Sequence, residues 1–199
     1  MEKIKTVLYI FFVVIIIFPS LSYAKSNIFE ININTSDIEI KAQTTIGHLS
    51  NPLYIEAGAL FIDDEYKIVD ISTTIKEQVI TPGMQMGLGF NFFGGRTKFH
   101  SVHYDLLAIG LSFFGEYDLR ETTIDIPVTI KLDASISPNP LSLLDTERFS
   151  MFNFSINTHI LDDGAVVVGC RHIEGKYEKS SFEEKDSDDS IYFGIQLYF

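Results

Sequence analysis

The stretch Ser190–Phe199, SIYFGIQLYF, alternates between two kinds of side chain without interruption. In an extended chain successive side chains point to opposite faces, so the odd-numbered positions form one face and the even-numbered positions the other. The odd face is entirely apolar and consists of Ile191, Phe193, Ile195, Leu197 and Phe199. The even face is mixed and consists of Ser190, Tyr192, Gly194, Gln196 and Tyr198. The stretch therefore predicts a β-strand with one strongly apolar side.

The other end of the chain carries the features of a secretory signal peptide. Lys3 and Lys5 precede the apolar run Val7–Phe18, and Ser22-Tyr23-Ala24 provides a small-x-small cleavage site. A membrane-spanning helix needs about 20 apolar residues, and this run is shorter. We predict a signal peptide at residues 1–24 and a single β-barrel domain at residues 25–199.

With an export signal in place, the terminal strand resembles the C-terminal insertion signal of bacterial outer-membrane barrels. The residues that carry this resemblance are Phe193, Gly194, Ile195, Leu197 and Phe199. The resemblance implies recognition by the barrel-assembly machinery and a location in the cell outer membrane, in contact with outer-membrane lipid and lipopolysaccharide.

Composition narrows the class of protein. The net charge of −12 makes nucleic acid an unsuitable partner. Cys170 is the single cysteine, which excludes an intramolecular disulfide. Beyond the signal segment no apolar run approaches the length of a spanning helix, so membrane residence requires a closed barrel.

Period-two segments recur along the rest of the chain, separated by turn residues, and we count ten of them. This predicts an antiparallel up-and-down transmembrane β-barrel of about ten strands, with eight as the fallback. An even count places both termini in the periplasm. We predict three long external loops, at Gly94–Asp105, Ser135–Arg148 and Lys176–Asp189. Pro127 lies inside the predicted seventh strand, where we expect a bulge or a break.

The charged residues of the predicted strands collect opposite the apolar stripes. A soluble sheet would bury its apolar face, whereas a membrane barrel turns that face to lipid and its charges to the lumen. Periodicity alone does not separate these two cases. The export signal and the terminal aromatic favour the barrel. The predicted luminal charges are Glu30, Glu39, Lys41, Glu56, Asp70, Lys76, Asp125, Lys131, Asp133 and Arg171.

Among these charges Arg171 is the candidate hub of a luminal network, because an unpaired charge inside a narrow barrel is costly. The alternative is a solvated charge in a wet lumen. The network we predict comprises Arg171, Lys131, Asp125, Asp133, Glu56 and Asp70.

Other reactive side chains form weaker patterns. His100 and His103 lack a third metal ligand at a telling spacing, and Ser155 shares a strand face with His159. The acidic run Glu183–Asp189 lacks the glycine and the final glutamate of an EF-hand loop, so we interpret it as a solvated charge run. Cys170 lies on the apolar stripe. We predict no catalytic residue, no cofactor and no metal.

The C-terminal third also resembles a known family. The residues that carry the resemblance are Ser137–Ser142, Asp145, Val168–Ile173 and the closing Tyr192–Phe199, with Cys170 where an aromatic is expected. This part of the chain looks like the YfaZ family of putative outer-membrane proteins. The resemblance implies an outer-membrane barrel and no particular biochemical activity.

The predicted function is a structural or envelope-integrity barrel, with a narrow and largely plugged pore, rather than an enzyme. Two other classes stay open at this point: an outer-membrane lipid-modifying enzyme, and a soluble periplasmic β-barrel that binds an apolar ligand. The sequence leaves the oligomeric state undetermined.

Overall fold

The computed structural model describes residues 27–46, 52–62, 66–99, 102–123, 125–179 and 182–199. The predicted signal peptide lies outside these residues. Eleven strands follow in chain order: β1 (Asn27–Ile33), β2 (Asp37–Ile46), β3 (Leu53–Ile62), β4 (Tyr66–Gln78), β5 (Met84–Phe99), β6 (Val102–Asp118), β7 (Val128–Ser137), β8 (Ser142–Leu144), β9 (Thr146–Leu161), β10 (Gly164–Lys179) and β11 (Phe182–Tyr198). Two 3-10 turns complete the described structure, and none of its helical segments is long and apolar enough to cross a membrane.

The strands form one closed antiparallel barrel. Pairing runs β5-β4-β3-β2-β1-β11-β10-β9-β7-β6, and pairing of β5 with β6 closes the ring. The first and last long strands meet directly, with Ile31 opposite Ile195. The short β8 pairs with β6 beyond the end of β7, so it shares the wall position of β7. The prediction of a ten-stranded barrel is confirmed.

Side chains alternate between the outside and the interior of the barrel. On β11, Phe193 is 60 % exposed whereas its neighbour Tyr192 is 1 % exposed. Exposed apolar residues recur around the wall and form what we call the apolar belt. It includes Ile31, Ile33, Ile38, Val69, Ile71, Ile75, Leu88, Phe90, Phe92, Leu107, Leu111, Ile136, Phe152, Ile156, Val166, Val168, Ile191, Phe193, Ile195 and Leu197.

The three predicted long loops are wrong. Strands β5 and β6 pair as far as Phe99 and Val102, and β10 and β11 pair as far as Lys179 and Phe182. The stretch Ser135–Arg148 holds the end of β7, a 3-10 turn, β8 and the start of β9. Most of these residues lie in strands, but their outward side chains are polar. The alternating apolar pattern by which a strand is predicted from sequence is therefore missing, and the sequence predicts loops instead.

We call this taller part of the wall the extension, made of residues 95–99, 102–106, 146–151, 172–179 and 182–190. Its outward side chains are polar and include Arg96, Arg148, Glu174 and Lys185. Its interior is an apolar core together with the tips of β3 and β4, formed by Leu60, Ile62, Tyr66, Ile68, Phe93, Tyr104, Leu106, Ala108, Phe149, Met151, Ile173 and Tyr177. The polarity of the wall therefore inverts between the belt and the extension.

The barrel wall is much lower on the β1 side of β11 than on its β10 side. Pairing of β1 with β11 stops at Ile33 and Phe193, so in the described structure Phe182–Tyr192 pair with β10 alone. The Tyr66 hydroxyl donates a hydrogen bond to Asp186 and connects β4 with β11 above the β1–β2 hairpin. Charged side chains discourage pairing at such an open edge, which gives the acidic run a structural role.

Strand β7 is shorter than predicted. It begins at Val128, directly after Pro127, whose carbonyl accepts a hydrogen bond from the backbone of His159. A proline has no N–H for the ladder, so the strand starts after it. Asp125 lies in the connection before the strand, is exposed and has a φ of 47°. Its prediction as a luminal residue is wrong.

Candidate functional site: the closed lumen

Arg171 lies at the centre of the interior. On one side of it are the inward charged side chains at the level of the apolar belt, and on the other side is the apolar core. It is 2 % exposed, and its Nη2 donates to Asp37 Oδ2 at 2.5 Å and to Ser190 Oγ at 3.0 Å. Its Nη1 lies 3.4 Å from Glu39 Oε2. Strand β10 directs Arg171 inward, and Asp37 and Glu39 are the first inward positions of β2. One guanidinium thus joins two carboxylates from a strand that is not its neighbour.

The network continues from Glu39 toward the chain termini. Asn32 Nδ2 donates to Glu39 Oε2 at 2.9 Å and to Glu30 Oε1 at 2.7 Å. Lys41 Nζ lies 3.2 Å from Glu39 Oε2. Gly194 faces Asn32, and a Cβ at that position would collide with the Asn32 amide. The Asn32 side chain can therefore occupy its place inside the barrel only because position 194 is a glycine.

A second cluster lies nearer the end of the barrel that holds the termini. Lys131 Nζ lies 3.8 Å from Glu116 Oε2 and 3.5 Å from Gln196 Oε1. Gln196 Oε1 also accepts hydrogen bonds from Asn157 Nδ2 at 2.7 Å and Tyr198 OH at 2.8 Å. A single amide oxygen therefore joins side chains from three strands.

Lys76 is buried with an unusual set of neighbours. It is 8 % exposed, and its Nζ lies 3.5 Å from the centroid of the Phe114 ring and 4.4 Å from that of Tyr54. An ammonium group over an aromatic face is attracted by the ring quadrupole. Aromatic rings thus surround part of this charge inside the lumen.

The structure places five of the six predicted network residues in the lumen. Lys131, Asp133 and Glu56 line a cavity of about 60 Å³, and Asp70 lines a second cavity of about 50 Å³ that also touches Glu56 and Asp133. Cavities of this size hold a few waters each. The direct partners of Arg171 are Asp37 and Glu39, which the predicted network did not contain. Asp37 is the first residue of β2 and shares the parity of Glu39, so it also points into the lumen.

The apolar core seals the lumen beyond Arg171. The Phe93 and Phe149 rings pack at a centroid distance of 4.8 Å, and Tyr104 packs on Tyr177 at 5.5 Å. Phe149 and Tyr177 are fully buried. The described interior therefore changes from small polar cavities to tightly packed side chains along the barrel axis.

His159 belongs to a polar cluster at the rim. Its Nδ1 lies 3.1 Å from Arg120 Nη1, and its Nε2 lies 2.9 Å from Thr129 Oγ1. Arginine only donates hydrogen bonds, so Nδ1 is the acceptor and the proton resides on Nε2. The imidazole is thus a donor to Thr129 and is not placed to take a proton from it. Ser155 makes no hydrogen bond to His159 in the described structure.

The residues of the predicted insertion signal lie on both sides of the wall. Phe193, Ile195, Leu197 and Phe199 are exposed outward. With Phe29, Ile31 and Ile33 of β1, three of them line an apolar depression of about 360 Å³ on the outer surface. Gly194 faces inward.

The remaining candidates stay separate from one another. His100 lies outside the described residues, whereas His103 lies on β6. Cys170 is exposed on the outer face of β10. The described part of the chain contains no group of three or more His, Cys, Asp or Glu side chains that could hold a metal ion.

Neither a protein-family model nor a curated protein matches this chain. The functional argument therefore rests on the geometry of the barrel.

Proposed function

We propose that this chain is a bacterial outer-membrane β-barrel with a structural role in the envelope and with a closed lumen. The observation that carries the proposal is the polarity of the wall. At the level of the belt, apolar side chains such as Leu88, at 71 % exposure, face outward, while Arg171 and Lys76 face inward. This arrangement suits a wall between lipid and a polar interior.

The belt also has the thickness that a bilayer requires. On β5 the outward apolar side chains span the nine positions from Met84 to Phe92, and on β11 and the residue after it the nine positions from Ile191 to Phe199. A tilted transmembrane strand needs about 9–11 residues. The long strands of 16 or 17 residues exceed this requirement, and the excess is the extension with its polar outer surface.

The interior supports a barrier role rather than passage. Ten-stranded barrels are only slightly wider than those of eight strands, whose interiors side chains just fill. Here charged and amide side chains occupy the belt level, and the apolar core occupies the extension. We infer that the protein does not conduct ions at a measurable level.

The two alternatives receive less support. A soluble barrel for an apolar ligand requires an empty apolar lumen, whereas the luminal cavities are small and lined by residues such as Lys41, Glu56 and Asp133. A hydrolase that pairs Ser155 with His159 receives no support, because the described structure has no hydrogen bond between these two side chains and the His159 ring contacts Arg120 and Thr129 instead. Membership of the YfaZ family remains a proposal that rests on the residue resemblance across Leu132–Phe199.

Cell fractionation and gel migration test the proposal together. We expect the protein in the outer-membrane fraction, with faster migration in unboiled samples because a closed barrel resists detergent until heated. Recovery as a detergent-free soluble protein would overturn the membrane assignment. Stepwise ion conductance in a planar bilayer would overturn the closed lumen while leaving the barrel assignment intact.

A further inference from the structure

One edge of β11 has no partner strand along the extension. Lower down, Phe199 exchanges two backbone hydrogen bonds with Asn27, at 3.0 and 3.2 Å, whereas the N–H of Tyr198 donates to Asp163 on the β10 side. Backbone groups alternate between the two edges of an antiparallel strand, and β11 pairs with β10 without a register shift as far as Phe182. The odd-numbered residues of β11 therefore direct their N–H and C=O groups away from β10.

Five of these odd-numbered residues lie above the last pair between β1 and β11, which joins Ile33 to Phe193. In the described structure their backbone groups have no backbone partner on that side. We call this row the open edge; it consists of Glu183, Lys185, Ser187, Asp189 and Ile191. A further strand could make there the hydrogen bonds that β1 makes lower down.

The β1–β2 hairpin forms a closed floor below the open edge. Asn34 Oδ1 accepts hydrogen bonds from the backbone N–H groups of Ser36 and Asp37, both at 2.7 Å, and the Asn34 N–H donates to the Asp37 carbonyl at 3.1 Å. This tight turn ends both strands, so neither strand continues upward to cover the open edge. The β3–β4 connection at residues 63–65 lies outside the described residues and is entirely acidic in sequence.

The side chains along the open edge are predominantly acidic. Residues 184–189 comprise four acids, one serine and one lysine. That lysine, Lys185, has its Nζ 3.0 Å from Glu174 Oε2 on β10. The Asp189 side chain is 83 % exposed on the outer face, with His172 Nδ1 at 2.7 Å. Negative charge on both partners opposes pairing with a second copy of this edge and favours a basic strand.

Asp188 extends the shortage of cations to the inner face. Its Oδ2 is buried and has no hydrogen-bond partner in the described structure. Burial raises the pKa of Asp188, and the nearby carboxylates of Asp37 and Asp186 raise it further, against the opposing charge of Arg171. Side chains directly opposite each other on paired strands share a face and lie close together. A cation opposite Asp188 on an added strand would therefore reach this carboxylate.

We propose that the open edge binds an extended basic segment of another polypeptide, which adds a strand to the extension. The main chain of that segment pairs with the backbone of the open edge. A lysine or arginine opposite Asp188 points inward, and another opposite Asp189 points outward, because successive side chains of a strand alternate between faces. Binding of this kind is additional to the structural role proposed above and does not depend on the side of the membrane on which the extension lies.

Synthetic peptides and the folded protein in non-ionic detergent micelles test the assignment. The probe is a labelled peptide of about ten residues, the length of an ordinary strand, built from valine and threonine with two adjacent lysines at its centre. One control peptide has glutamates in place of the lysines, and another has a proline beside them. By fluorescence anisotropy we expect both controls to bind at least about tenfold more weakly, because one loses the charge and the other cannot pair as a strand.

Variants of the protein locate the binding. Ser187→Pro removes an N–H from the middle of the open edge and no bond to β10, so a folded barrel should bind the lysine peptide at least about tenfold more weakly. The double variant D188N, D189N should also weaken binding by about tenfold. The matched control D162N, D163N removes the same charge from the exposed β9–β10 turn and should change binding by less than about twofold.

Three results would overturn the inference: unchanged binding by Ser187→Pro, equal binding of the lysine and proline peptides, and equal effects of the two aspartate pairs. Self-association of the wild type that Ser187→Pro abolishes would assign the edge to a second copy and overturn it as well. The heat-dependent gel shift of the same preparations reports on the barrel itself. If Ser187→Pro does not fold, the aspartate pairs and the proline peptide still decide the outcome.

Discussion

Arg171 and Asp37 meet inside the barrel at 2.5 Å although they stand 134 positions apart in the chain. Neither side chain is exposed at all. Their strands are separated in the wall by β1 and β11, so the contact crosses the interior rather than following a strand pair. This ion pair connects the last long hairpin with the first one.

Replacing Arg171 with methionine is expected to destabilise the barrel strongly. The change leaves the Asp37 and Glu39 carboxylates buried without their cation, and breaking a buried pair in this way costs about 3–5 kcal/mol. Denaturant unfolding in micelles, followed by circular dichroism, measures the loss. The matched control is Lys185→Gln, on the exposed surface. Equal midpoints for the two variants would contradict the buried network. The double variant Arg171→Met, Asp37→Asn keeps Glu39 as the partner of Lys41 and should recover part of the loss.

A charge placed in the belt separates a membrane barrel from a soluble one. Leu88→Arg should cost about 2–4 kcal/mol in a bilayer, because an outward charge near the midplane faces hydrocarbon. Ser187→Arg, on the polar outer face of β11, should change the free energy of unfolding by about 0.5 kcal/mol or less. Unfolding from lipid vesicles gives both values. Similar small costs for both variants would indicate that the belt faces water.

Gly194 is expected to tolerate no side chain. A Cβ there would collide with the Asn32 amide and the Ile31 carbonyl at the junction of β1 and β11. Gly194→Val should therefore cost about 1–3 kcal/mol and reduce the fraction of heat-modifiable protein. Gly115→Ala provides the control, since a Cβ at that position meets only ordinary contacts of 3.7 and 3.9 Å. Normal assembly of the valine variant would show that the junction is more open than its register implies.

Opening the apolar core should make the protein leak. The double variant Phe93→Ala, Phe149→Ala removes a pair of packed rings, tilted at 59° to each other, above Arg171, and each truncation is expected to cost about 3–5 kcal/mol. We expect small irregular conductance from folded protein in planar bilayers, in contrast to the closed wild type. The control Phe90→Ala changes an outward ring of the belt. Conductance from Phe90→Ala but not from the double variant would show that the Phe93–Phe149 pair does not block the lumen.

Asp118 at the rim predicts an acid-sensitive contact. Partial burial raises its pKa, but hydrogen bonds and charge from Arg120 outweigh burial and hold the pKa below its ordinary value. A lowered folded-state pKa contributes stability above the unfolded value of about 3.9, and that contribution disappears as the pH falls through the folded value. Below about pH 4, wild type should lose more stability than Asp118→Asn, by denaturant titration across pH. If the stability of the two proteins falls equally with pH, the Asp118–Arg120 contact does not contribute to acid sensitivity and the prediction is wrong.

Local alternation in the sequence is enough to predict the belt and the side of the wall on which most charges lie. Leu88 and Phe193 face outward, and Glu56 and Lys131 face inward, as their parity indicates. The extension was missed because Arg96 and Lys185 replace apolar residues on the outer face, while buried aromatics such as Tyr177 lie opposite. The partners of Arg171 were missed because the stagger between distant strands determines which inward residues meet, and that stagger is not a local property.

The inverted polarity of the wall has a consequence for biogenesis. In the proposed orientation, the β10–β11 hairpin must carry Lys176, Glu178, Lys185 and Asp189 through the hydrocarbon layer before the belt comes to rest in it. Each of those charged groups resists transfer into an apolar medium, so unaided entry into pure lipid vesicles should be slow. A thinner or locally disordered bilayer shortens that passage. The height of the extension thus determines how strongly the protein depends on a catalyst of insertion.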